Sequence, residues 1–229
     1  MRNSKKIDLT EIFGNGIKQD DRQFHKQMVN IHEFYLSGEI GPPEEYIQWF
    51  DTIRHAGETD VIKIYINSPG GDVFTAIQFM RVLQETAANV VISVEGICAS
   101  AATMIMLCGD SFEISDHSMF MCHNYSGLTF GKGGEMLDQL QHERKWSEKL
   151  LRNVYKDFLT EAEITSVLEN KDIWMDGEEV VKRLRARQEK IEAEINFQQE
   201  KEETEETKAD NIKKSNSKKT ANRLTKKFK

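Results

Sequence analysis

Ser100 stands in a run of small residues, Gly96-Ile97-Cys98-Ala99-Ser100-Ala101-Ala102, after the apolar Val90-Val91-Ile92-Ser93-Val94 and before the apolar Thr103 to Leu107. A serine at a strand-to-helix turn faces the free N–H groups of the helix, where charge made during acyl transfer finds donors. The same serine also suits an ordinary helix N-cap. His123 ends the apolar Ser118-Met119-Phe120-Met121-Cys122. An imidazole there could act as a base for a nearby hydroxyl. His25, His32, His55, His117 and His142 follow no strand so apolar. Asp172, just before Ile173-Trp174-Met175, could orient that imidazole, and on residues alone Asp176 is an equal candidate. Asn67-Ser68-Pro69-Gly70-Gly71 ends one apolar run and opens another. Its glycines leave N–H groups unobstructed, for an oxyanion hole or simply for a tight turn. The spacing matches neither a P-loop nor a dinucleotide-binding turn.

These residues need elements that carry them to one place. Glu33 to Ile40 reads as a short strand broken at Gly38, and Tyr46 to Ala56 as an amphipathic helix after Pro42-Pro43. Val61 to Asn67 reads as a strand, 72–85 as a helix, 90–95 as a strand, and a helix follows from 100. That alternation, with short connections, indicates an α/β fold with a largely parallel sheet. Further strands are expected near 111–115 and 118–123, and a long helix over 135–158 that could contact another subunit. Thr160 is the expected N-cap of a short helix, and another helix starts near Asp176-Gly177-Glu178.

The composition bounds the protein as a whole. The chain has 229 residues, a net charge of −7 and 38% hydrophobic residues, enough for one sizeable domain with a polar excess. The excess is local. Residues 189–210 hold nine acids against three lysines, whereas 211–229 hold eight Lys or Arg and no acid. Such a stretch buries too little apolar surface to fold by itself, so a charged tail is expected over 187–229, its acidic part suited to an exposed helix. Residues 1–30 are polar and read as an arm. Cys98, Cys108 and Cys122 lack metal or disulfide spacing and read as buried free thiols in a reducing compartment. No apolar run is long enough to span a bilayer, and no leader is evident, so the expected location is the cytoplasm. The net charge gives no reason to expect nucleic-acid binding.

Taken together, the motifs resemble the proteolytic subunit of the Clp protease, a barrel-forming serine peptidase of the crotonase-like superfamily. The resemblance covers about residues 30 to 185. It rests on Phe34-Tyr35-Leu36-Ser37-Gly38-Glu39-Ile40, Ile66-Asn67-Ser68-Pro69-Gly70-Gly71, Gly96-Ile97-Cys98-Ala99-Ser100-Ala101, Met119-Phe120-Met121-Cys122-His123 and Lys171-Asp172-Ile173-Trp174-Met175, in that order. It implies a crotonase-like ββα-spiral head over 31–186 with a protruding handle helix at 135–158. It implies a Ser100 nucleophile, a His123 base oriented by Asp172, and an oxyanion hole from the N–H groups of Gly71 and Ala101. No metal or organic cofactor is implied; ATP belongs to a separate AAA+ unfoldase that feeds protein substrates into a heptameric ring or two stacked rings. The chain departs from the family at four places, the first being an N-terminal arm that does not match the family's axial loops. Asn170 and Lys171 stand where an Asp-Arg pair joins the rings, Asn124 where Gln-Pro follows the base, and the tail beyond 187 has no counterpart. These departures leave room for a phage head-maturation protease of the same fold and triad. Two further alternatives are an acyl-CoA hydratase, which would need carboxylates where Ser100 and His123 stand, and a non-catalytic ring subunit.

Overall fold

The computed structural model of the chain describes residues 29–198 and 201. The expected arm over 1–30 falls almost wholly outside the described residues, as does the basic end of the expected tail. One six-stranded sheet carries the fold, its strands β1 (Ile31–Ser37), β2 (Val61–Ser68), β3 (Asn89–Ala99), β4 (Ser111–Ile114), β5 (Met119–Cys122) and β6 (Ile173–Asp176). The order is β1-β2-β3-β5-β6, with β4 paired to β3 beside β5. All pairings are parallel except β5 with β6. In β2 the alternation of Ile62, Ile64 and Ile66 with polar residues puts all three isoleucines in the core, which fixes the register against β3.

Helix α1 (Ile47–His55), entered through a 3₁₀ turn at Pro43–Tyr46, and helix α2 (Val73–Glu85) cover one part of the sheet. Tyr46, Trp49, Phe50 and Phe79 interlock there, with Phe50 and Phe79 rings 4.8 Å apart and nearly perpendicular, a favoured aromatic geometry. Asp72 caps α2 by accepting from the Thr75 N–H. Helix α3 (Ala101–Met106) is buried throughout. Helix α4 (Gly133–Val154) is long and stands away from the core over its first half, where Leu137 and Leu140 are exposed; only from Ser147 onward does it pack inward. Helix α5 (Glu161–Leu168) starts at a capping box between Thr160 and Glu163, and α6 occupies 177–198.

Several boundaries differ from the sequence reading for identifiable reasons. The strand expected at 90–95 runs on to Ala99, because β3 changes partners midway: residues 91–94 pair with β4 and 97–99 with β5. The register shift this needs is filled by the Asn67 side chain, which accepts from the Ile97 N–H and lies where a side chain on Gly96 would sit. Most of the small-residue turn is therefore strand, and the turn itself is confined to Ser100. The long helix occupies 133–154 and not 135–158, since the chain turns through Tyr155 and takes a left-handed conformation at Asp157, φ 64°. The last helix continues past 187, through 198.

Candidate active site

The end of β3 delivers Ser100 in a backbone conformation that L-residues avoid, φ 55° and ψ −127°, at a cost of about 1–3 kcal/mol. Its surroundings hold it there. The Ser100 N–H donates to the Met121 carbonyl on β5 at 2.8 Å, and its carbonyl accepts from the Thr103 N–H at 3.0 Å. On the other side lies the glycine turn after β2. A side chain on Gly70 would strike Ser100 and the Ala99 carbonyl, and one on Gly71 would strike the backbone of Ile40. Both glycines have positive φ, 98° and 148°. The short extension of β1 closes the turn from outside: Ile40 donates to the Gly70 carbonyl at 2.8 Å and accepts from Asp72 at 2.9 Å.

His123, the first residue after β5, places Nε2 2.6 Å from Ser100 Oγ. Both residues are half-buried at the mouth of a cleft of about 710 Å³. Gly71 and Ala101 line the same cleft. Its apolar wall comes from Phe74, Met104, Trp146 and Leu150, with Phe74 stacked on Trp146 at 5.6 Å.

Asp172 is less closely engaged. It is exposed, and among the described residues no hydrogen bond joins it to His123. Its placement is nonetheless specific: the antiparallel ladder of β5 with β6 ends at Cys122–Ile173, and the next pair in that register is His123 with Asp172. The alternative, Asp176, accepts from the Glu179 N–H at 2.9 Å and so caps α6. A contact absent from the sequence reading joins the two segments beside the site. Asn124 Nδ2 donates to Asn170 Oδ1 at 3.0 Å, while Asn124 Oδ1 accepts from the Tyr125 N–H. Asn170 is held at φ 65° by the end of α5, where its N–H reaches the Val167 carbonyl and the Lys171 N–H reaches Ser166, the pattern of a Schellman cap. Two of the positions that depart from the resembled family therefore bond to each other.

Burial raises the thiols of Cys98, Cys108 and Cys122, the last to about 11, so all three are protonated at neutral pH. Among the described residues, no group of three or more His, Cys, Asp or Glu is placed to hold a metal ion, and no helix is long and apolar enough to cross a membrane.

Comparison with known proteins places this geometry in context. The Clp protease family model matches residues 44–183, more than half of the chain. The chain is 28% identical over 131 residues to the ATP-dependent Clp protease proteolytic subunit 1 of Salinibacter ruber, covering 56% of this chain and 55% of that protein. It is 26% identical over 120 residues to the corresponding subunit of Bacteroides thetaiotaomicron, covering 52% of this chain and 54% of that one. With the proteolytic subunit 2 of Treponema denticola it shares 23% identity over 167 residues, 71% of this chain and 83% of that one. The chain thus spans about half the length of the first two relatives.

Proposed function

The chain is a divergent member of the Clp protease family, and from that premise we propose that it is a serine endopeptidase acting through an acyl-enzyme. The observation that carries the reading is the 2.6 Å approach of His123 Nε2 to Ser100 Oγ at the mouth of an apolar cleft. The Ser100 hydroxyl donates to Nε2, which requires the tautomer with its proton on Nδ1. Attack of Oγ on a peptide carbonyl passes that hydroxyl proton to Nε2 and forms a tetrahedral oxyanion. The N–H groups of Gly71 and Ala101 hold the oxyanion, each worth roughly 3–4 kcal/mol in sites of this kind. His123 then protonates the departing amine, leaving an ester on Ser100. A water that gives its proton to His123 attacks that ester, and His123 returns the proton to Oγ as the acid departs, restoring the serine and the neutral imidazole.

Asp172 accepts a hydrogen bond from the Nδ1–H once its carboxylate turns in across the His123–Asp172 pair, fixing the tautomer and stabilising the imidazolium. The wall formed by Phe74, Met104, Trp146 and Leu150 seats a large apolar side chain of the substrate. The exposed apolar residues Leu128, Phe130, Leu137 and Leu140, on and before the first half of α4, give copies of the chain a surface for ring assembly. A separate ATP-driven unfoldase supplies unfolded protein to the ring, and the chain itself uses no cofactor. The setting is the cytoplasm.

The test is hydrolysis of a short fluorogenic peptide by the purified chain beside Ser100→Ala, with sizing of both. Turnover by a many-subunit species that Ser100→Ala abolishes supports the reading. A folded, assembled chain with no Ser100-dependent turnover counts against it and favours a non-catalytic ring subunit.

A further inference from the structure

Below Ser100 lies a buried set of hydroxyls that the acyl-transfer steps leave unused. The Ser100 carbonyl accepts a second hydrogen bond, from Thr103 Oγ1 at 2.6 Å. Thr103 Oγ1 in turn lies 2.8 Å from the Tyr155 hydroxyl. A threonine hydroxyl carries one proton; with that proton on the Ser100 carbonyl, Tyr155 is the donor in the second bond. Thr103 and Tyr155 are 0% and 1% exposed, so both hydroxyls are shielded from bulk water. Tyr155 stands just past the end of α4, Thr103 lies within α3, and the Cys122 thiol beside both hydroxyls belongs to the strand that carries His123. Burial keeps Tyr155 and Cys122 protonated, so the floor of the site carries no charge.

The Ser100 carbonyl and the Ala101 N–H belong to one peptide plane. In a trans peptide they point in opposite directions, so an anchor that draws the carbonyl down onto the floor aims the N–H away from it, on the side of the cleft that Ala101 lines. We propose that Thr103 and Tyr155 are positioning residues that orient the Ser100–Ala101 peptide, holding the Ala101 N–H toward the oxyanion formed on substrate. The inference rests on the reading of Ser100 as the nucleophile. It assigns the two hydroxyls an effect on the transition state; Tyr155 also lines the cleft, and Tyr155→Phe keeps its ring there.

The experiment compares Tyr155→Phe, Thr103→Val and Thr103→Ser in the full chain, reading kcat and KM on a fluorogenic peptide and the affinity of a peptide aldehyde, whose adduct with a serine mimics the tetrahedral state. Tyr155→Phe and Thr103→Val are expected to lower kcat about tenfold to a hundredfold, somewhat less than outright loss of an oxyanion donor, which costs about 10²–10³. KM stays within about twofold, aldehyde affinity falls by the same factor as kcat, and Thr103→Ser behaves as the parent. The double variant is no worse than the poorer single one, because the hydroxyls act in series. Parent-like kcat and aldehyde affinity in Tyr155→Phe overturn the inference while leaving the peptidase reading intact. That variant removes one oxygen and keeps the ring packing, so it decides the matter if Thr103→Val fails to fold. Absence of Ser100-dependent turnover in the parent is a different result, and it overturns both readings.

Discussion

Gly70 is packed so tightly against Ser100 that a side-chain carbon added to it would stand 2.6 Å from the serine Cβ and 2.7 Å from the Ala99 carbonyl. The glycine turn after β2 is thus a wall of the turn that carries Ser100. Gly70→Ala meets both that contact and its own φ of 98°. Neither can relax without moving Ser100. The variant is expected to lose about 1–3 kcal/mol of stability and nearly all peptide hydrolysis, by thermal melting and turnover. An alanine variant with parent-like kcat would show that the two turns are not coupled.

The register of β5 with β6 separates the roles of two aspartates that the sequence leaves equivalent. Asp172 stands opposite His123 one step beyond the end of the ladder, whereas Asp176 caps α6. Asp172→Asn is expected to lower kcat by about 10²–10⁴, the range for loss of the orienting carboxylate, with little change in melting temperature. Asp176→Asn keeps activity, and Asp176→Ala costs about 1 kcal/mol of stability. The reverse pattern in kcat would transfer the orienting role to Asp176.

Acid stability gives a check on the packing of α5 against α6. Arg183 grips Glu163 through two hydrogen bonds of 2.8 and 2.7 Å and also bonds Glu179 at 2.7 Å. The Arg183 guanidinium pulls the Glu163 carboxyl down from 4.5 to about 2. A lowered folded-state value means the stabilisation is fully present above about pH 4.5 and is lost as pH falls toward 2. Denaturant melts of the parent should therefore weaken across that window, with a smaller loss in Glu163→Gln. An identical pH dependence in both would remove Glu163 from the acid response.

The Phe74–Trp146 stack predicts substrate preference. Trp146→Ala opens the apolar wall and is expected to raise KM about tenfold for peptides with a large apolar residue before the scissile bond, as expected for lost apolar contact. Peptides with a small residue there change little. Equal effects on both would place the substrate side chain elsewhere.

Most elements were legible in the residues because their patterns are local. The alternation in β2, the β-branched run opening β3 and Thr160 as a cap each specify structure over a few positions. Ser100, His123 and the glycine turn were likewise legible as candidates, since each ends an apolar run. What escaped depends on contacts distant in sequence. Strand β6 is four residues long and exists only by pairing with β5, and the extension of β3 to Ala99 needs both β5 and the Asn67 side chain. Thr103 looked like one more residue of an apolar run. Its hydrogen-bonded setting appears only when Tyr155, 52 positions later, is brought over it. The Asn124–Asn170 bond spans 46 positions, and neither asparagine has a pattern that announces the other.

Activation of Ser100 by His123 is open to covalent labelling. A fluorophosphonate is attacked, with loss of fluoride, only by a serine whose proton has somewhere to go. The parent chain, Ser100→Ala and His123→Ala are treated in parallel, and the adduct is located by mass spectrometry of the digested protein. One adduct is expected, on Ser100, absent from Ser100→Ala and at least about 10³-fold slower to form in His123→Ala. A folded, assembled parent that takes no label, or a Ser100 adduct that forms equally fast without His123, would contradict that activation.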